Sequence, residues 1–215
     1  LGDVYKRQLL GYAMITEDEL KKYLPKYLSE ENYKTLLAEL KSFPYNIDGR
    51  MYTSMLDKNV IFQGDGLKKM PIIDLTNIER GVKKVSCLIL SNTCDMDLSN
   101  SRMFPASIMY APIINLTKYI SVLQKQGINS SKIENHISNL KQQKITQIIF
   151  LPANSQMEDS IVFLDKIYHV DNRFINRDTL EDQRLFSLSD YGFYMLIFKS
   201  VSYTHLRAHE TPEHL

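Results

Sequence analysis

The side chains best suited to chemistry in this 215-residue chain gather in one stretch, Ser91-Asn92-Thr93-Cys94-Asp95. A thiol, a carboxylate, two hydroxyls and an amide within one short loop could hold a polar substrate or attack it. Cys94 is the candidate nucleophile. A thiol forms thiolate near neutral pH only beside a base or in a positive field, and the adjacent Asp95 pushes the other way. Lys84, Arg102 or His169 would have to come close to it. A competing reading gives the loop a structural role, in which Asn92 and Asp95 close a turn through side-chain to backbone hydrogen bonds and Cys94 packs inward as a small hydrophobe.

Two other motifs invite chemistry and are set aside. His205, His209 and His214 with Glu210 have the spacing of a helical metal site. They fall, however, in a segment that pairs with the other end of the chain. Residues 1–8, Leu-Gly-Asp-Val-Tyr-Lys-Arg-Gln, and 201–208, Val-Ser-Tyr-Thr-His-Leu-Arg-Ala, can be encoded by strings that are reverse complements and that resemble a transposase adapter used in sequencing libraries. Residues 1–8 and 201–215 are therefore read as adapter artefact and excluded, as tags and linkers are. The histidines left, His136 and His169, are too few to argue for zinc, and no metal or cofactor is expected. Gly64-Asp65-Gly66 lacks the Lys-Ser ending and the following helix of a phosphate loop and reads as a turn.

The elements that must position the Cys94 loop are two β-branched runs, Val85 to Leu90 before it and Ala106 to Ile114 after it. Further strands are expected at Val60 to Gln63, Ile72 to Leu75, Ile148 to Leu151 and Ser160 to His169, with Asn172 to Asp182 a polar turn and loop. Helices are expected after the Thr16-Glu17-Asp18-Glu19 capping box, where Leu20, Tyr23, Leu24 and Tyr27 share a face, and from Ser29, with Tyr33, Leu36, Leu37 and Leu40 at helical spacing. Two more, Leu116 to Lys125 and Ser131 to Gln143, flank Gly127, and their lysines read as a solvated face. Ser187 and Asp190 repeat the capping spacing before Tyr191 to Phe198, a stretch apolar on every side that must be buried in a core or a dimer interface.

The charge balance is +1, and excluding the ends removes three cations and three anions, leaving it unchanged. That argues against a strongly basic nucleic-acid coat but leaves room for a local basic patch. Cys87 and Cys94 make no disulfide framework and suit reduced thiols in a cytoplasmic protein. No run is long enough for a membrane helix.

The order of these pieces resembles the PemK/MazF family of toxin ribonucleases. The matching residues are Leu88-Ile89-Leu90-Ser91-Asn92, Ala111-Pro112-Ile113-Ile114, Leu151-Pro152, Asp159-Ser160-Ile161-Val162-Phe163-Leu164-Asp165-Lys166-Ile167 and His169-Val170-Asp171-Asn172-Arg173. The resemblance implies an α+β fold: a small, strongly curved antiparallel β-barrel of the PemK/MazF type with inserted helices. It organises the chain as an N-terminal helical extension over 9–50 and a barrel domain over 51–200 with a helical insertion at 115–144.

By that resemblance the natural substrate class is RNA, and the partners are RNA, an antitoxin or other protein, and a second copy in a homodimer. The family's catalytic arginine and threonine positions are occupied by Val85 and Ile114. The catalytic roles would pass to Lys84 neutralising phosphate, Arg102 stabilising charge developed during cleavage, and Cys94 and Asp95 in the pocket. Ser91, Asn92 and Thr93, with Asn115 and Thr117 beyond the second strand, would bind substrate. The expected function is an RNA-cleaving toxin, or a toxin-derived protein of a bacterial or phage defence system. The alternative is a non-catalytic protein- or nucleic-acid-binding module on the same barrel, and the loop wording, Ser-Asn-Thr-Cys-Asp, resembles uncharacterised bacterial and phage proteins with a Cys-Asp pair.

Overall fold

The structure is a computed structural model describing residues 47–73, 79, 81–100, 103–104 and 106–209, together with Glu31, Lys34, Thr35 and Ala38. The chain divides into two units, Leu1–Asn46 and Ile47–Leu215. In the first, those four positions are helical and exposed, a spacing that forms one face of the helix expected from Ser29. Its apolar stripe and the helix after Thr16 lie outside the described residues.

The second unit builds its sheet from β-branched and apolar runs, two of which, Ile148–Leu151 and Ser160–Phe163, are buried along nearly their whole length, while successive side chains of each strand point to opposite faces. The strands are β1 (Tyr52–Thr53), β2 (Gly66–Ile73), β3 (Val82–Ile89), β4 (Ser107–Asn115), β5 (Ile148–Leu151), β6 (Ser160–Phe163), β7 (Tyr168–Asp171) and β8 (Arg184–Leu188). Among the described residues five α-helices join them: α1 (Thr93–Met96), α2 (Leu116–Lys125), α3 (Ser130–Lys141), α4 (Leu180–Gln183) and α5 (Asp190–His209). All strand pairings are antiparallel, in the order β1-β8-β2-β3-β4-β6-β5, with β7 also on β4.

This is an α+β protein, but its sheet is neither closed nor strongly curled. Closing a barrel requires the end strands to share a ladder. Here β1 is two residues long and pairs with β8, while the outer edge of β5 is taken by a side chain: Gln143 donates to the Phe150 carbonyl at 2.6 Å and accepts from its amide at 3.0 Å.

Strand β4 is the hub. One edge pairs with β3, and the other pairs with β7 over Ser107 to Tyr110 and with β6 over Ile113 to Asn115. The expected single strand from Ser160 to His169 is thus split. Five residues along β4, Tyr110 to Ile114, face eight on the partner, Tyr168 back to Ile161, and the surplus forms the turn around Leu164 and Asp165.

Two apolar clusters hold the unit. Leu67, Met70, Cys87, Ile89, Ile108 and Tyr110 form the heart of one, and Leu116, Leu140, Ile148, Phe150 and Ile161 the other, beneath α2 and α3. The expected strand at Val60 to Gln63 is instead a loop folded onto Asp65, whose carboxylate accepts from the Phe62 amide at 2.9 Å. Strand β8 occupies the approach to α5, where the sequence offered only a capping spacing. Helix α5 buries Tyr191, Tyr194, Met195 and Leu196, and a Cβ on its Gly192 would stand 2.3 Å from the Met51 carbonyl oxygen, so glycine alone allows that approach. Among the described residues no helix is long and apolar enough to cross a membrane.

Candidate functional site

The Cys94 loop leaves β3 at Ile89 and turns through the single-turn helix α1. Asn92 caps this helix, its side-chain oxygen accepting from the Cys94 amide at 3.0 Å, as an Asx cap should. Ser91 is buried; its hydroxyl accepts from the Met109 amide at 2.7 Å and donates to the Ser107 carbonyl at 3.4 Å. Thr93 accepts from the Gln63 amide at 3.0 Å. The groups expected to bind substrate are therefore spent on holding the loop to β4 and to the loop before β2.

Position on α1 decides which side chain enters the core. Cys94 and Met96 stand two residues apart, about 200° around a helix, so when Met96 packs inward Cys94 faces out. Cys94 is exposed and Met96 is 2% exposed. The expectation that Cys94 packs inward is corrected, while the turn-closing role of Asn92 stands. The inward thiol is Cys87 on β3, which burial pushes up to about 12.

The far side of α1 is pinned by Arg177, which carried no signal in the sequence, together with Asn172. Arg177 donates to the carbonyls of Met96 (3.0 Å), Asn172 (2.8 Å) and Ile175 (2.7 Å), and Asn172 donates to Met96 as well (3.0 Å). Desolvation lowers the Arg177 pKa from its usual value.

Lys84 and the pair Asn115 and Thr117 lie at the opposite end of the β3–β4 pair. Cys87 faces Pro112, and Lys84 and Asn115 each lie three residues outward from that pair. The strand from Lys84 to Ile89 spans about 17 Å at the usual rise, which separates Lys84 from the start of the Cys94 loop. Asn115 caps α2 by accepting from the Lys118 amide at 3.1 Å and donates to the Glu158 carboxylate at 2.7 Å. Thr117 is exposed. His169 is paired with Met109 on β7, toward the Cys94 end, and is exposed. Arg102 lies outside the described residues. The candidate residues thus form two groups at two ends of one strand pair.

A buried ion pair was also missed. Asp65 is fully buried, 3.1 Å from the Arg184 guanidinium, and accepts from the Ser187 hydroxyl at 2.5 Å. Burial raises its carboxyl pKa, and the Ser187, Phe62 and Arg184 contacts oppose that rise. Only the two glycines around Asp65 hinted at it: Gly64 has φ +91°, and Gly66 leaves room for the Phe186 ring. Elsewhere, a shallow groove of about 600 Å³ between α2 and α3 is lined by Ile120, Ile133, Ile137 and Lys141, among others, and it includes no residue of either candidate group. Among the described residues no group of three His, Cys, Asp or Glu side chains could hold a metal ion.

No protein-family model matches the chain, and no curated protein matches it either.

Proposed function

We propose that this protein is a PemK/MazF-like, toxin-derived module that binds RNA without cleaving it. In this reading its open sheet derives from the family's barrel, with the Gln143 side chain standing where a closing strand would pair.

The observation that carries the non-catalytic part is the separation between Lys84 and the Cys94 loop, about 17 Å of β3. General acid–base work requires its groups within hydrogen-bond reach of one reacting centre, and one scissile phosphate cannot span that distance. Val85 and Ile114, at the family's arginine and threonine positions, offer neither a guanidinium nor a hydroxyl. RNA as ligand rests on the family resemblance.

The test is incubation of the full chain with end-labelled single-stranded and hairpin RNA in the presence of chelator. The expected outcome is retarded mobility with intact RNA. Cleavage that a Lys84→Ala or Cys94→Ala variant abolishes would overturn the non-catalytic reading, and absence of any retardation would overturn RNA as the ligand.

A further inference from the structure

We propose that the outer half of the β2–β3 pair is a cationic arm that lies against the phosphate backbone of duplex RNA. This rests on the RNA-binding reading and names the surface and the form of RNA involved.

The arm follows from where the lateral pairings stop. Strand β8 meets β2 at Gly66 and Leu67, and β4 meets β3 from Cys87 onward. Beyond them Met70 to Ile73 and Val82 to Val85 pair with each other, with no strand on either side among the described residues. The ribbon is held firmly at its inner face: Ile72 and Val85 pack against the first apolar cluster, and the Tyr110 hydroxyl donates to the Pro71 carbonyl at 2.5 Å.

Lysines occupy both strands of this ribbon. Between Leu67 and Met70 the register shifts, setting Lys68 and Lys69 together against Ser86 in a bulge, with Lys69 at φ +63°. Bulges bend and twist a ribbon and re-aim its side chains, and a lysine with positive φ is uncommon. On β3 follow Lys83 and Lys84. Lys69, Lys83 and Lys84 are exposed, and none of them enters an ion pair among the described residues. Lys68 donates to the neutral side chain of Gln156 at 2.9 Å, so its charge is also uncancelled.

The chemistry of the arm selects backbone over base. Ammonium groups act as point charges toward phosphate oxygens. Neither Gly66–Ile73 nor Val82–Val85 contains an aromatic residue, so the arm has no platform on which unpaired bases could stack, the usual device for holding single strands. Duplex RNA presents its phosphates at regular spacing and is recognised by shape and backbone.

The experiment compares the full chain with a K68Q/K69Q/K83Q/K84Q variant on a blunt RNA duplex of about 20 base pairs and on a single strand of equal length, across a salt series. Lys83, opposite Ile72, and Lys84, opposite Pro71, leave the ribbon on opposite faces, so the expected result for the duplex is at least about tenfold weaker binding at low salt and a logarithmic salt slope shallower by about two to three. The far-UV spectrum and unfolding midpoint stay unchanged, and a K125Q/K132Q control on α2 and α3 matches the unaltered protein. Duplex binding by the arm variant with full affinity and slope overturns the arm while leaving the RNA-binding reading intact. A single strand bound as tightly as the duplex overturns the choice of duplex. Failure of the unaltered protein to bind either RNA overturns the underlying reading itself.

Discussion

The side-chain amide of Gln143 pairs with the backbone of Phe150 as a neighbouring strand would, donating at 2.6 Å and accepting at 3.0 Å. Gln143 is 1% exposed, so both Phe150 groups are satisfied away from water. Gln143→Ala leaves a buried donor and acceptor unpaired and should cost about 2–4 kcal/mol. Urea unfolding measures this. A cost below about 0.5 kcal/mol would mean that the edge finds other partners.

Arg177 is expected to hold α1 in place rather than to act on a ligand. Arg177→Lys keeps a charge but loses the planar fork that reaches several carbonyls at once. It should accelerate hydrogen exchange of the amides from Thr93 to Met96 and leave those of β5 and β6 unchanged. Equal protection in both proteins would assign the loop's order to Ser91, Asn92, Thr93 and Asn172 without Arg177.

The buried pair of Asp65 and Arg184 should show the asymmetry of interior charges. Asp65→Asn strands the guanidinium and is expected to cost about 3–5 kcal/mol. Among the described residues the Arg184 Nε has no hydrogen-bond partner, so the pair is imperfectly satisfied. A double Asp65→Asn, Arg184→Met variant should therefore recover part of the loss. Double-mutant cycles from denaturation curves measure the coupling, and a double variant no better than Asp65→Asn alone contradicts this account.

Lys199 gives a pH dependence with a defined sign. Lys199 is 1% exposed, its ammonium donates to the carbonyls of Gln143 and Ile145, both at 2.6 Å, and desolvation lowers its pKa from 10.5 to about 7. Between those values the unfolded chain binds a proton that the folded chain does not, so stability rises with pH through that window. Denaturation midpoints should climb from neutral to alkaline pH, and a Lys199→Met variant should lack the climb. A flat profile in the unaltered protein would place a stabilising charge beside the ammonium.

The two thiols should separate cleanly. Cys94 is exposed and Cys87 buried, so an aromatic disulfide reagent should titrate one thiol per native chain and both after unfolding. Cys94→Ser should leave RNA affinity unchanged. Rapid modification of both thiols in the native protein would contradict the burial of Cys87, and loss of RNA binding in Cys94→Ser would place that thiol in the interface.

Local pattern determined a good part of this fold. Leu116 to Lys125 and Ile148 to Leu151 fall where periodicity puts them, because helical spacing and a β-branched run are properties of neighbouring residues. The strands flanking the Cys94 loop, and the cap by Asn92, were legible for the same reason. Pairing was not. That Ser160 to His169 splits into two strands depends on the length of β4 opposite it, and that a side chain pairs with the β5 edge depends on Gln143 returning to Phe150 across a turn.

The candidate site shows the same division. The sequence by itself determined which residues could do chemistry, Cys94, Asp95 and Lys84 among them, because reactivity belongs to residue type. Only the tertiary structure decided that Cys94 faces out while Met96 packs inward, and that two lysine pairs, fifteen residues apart in the chain, are set on one ribbon by the β2–β3 register. Which way a one-turn helix faces and which residues meet across a register are relations between segments, and no single segment encodes them.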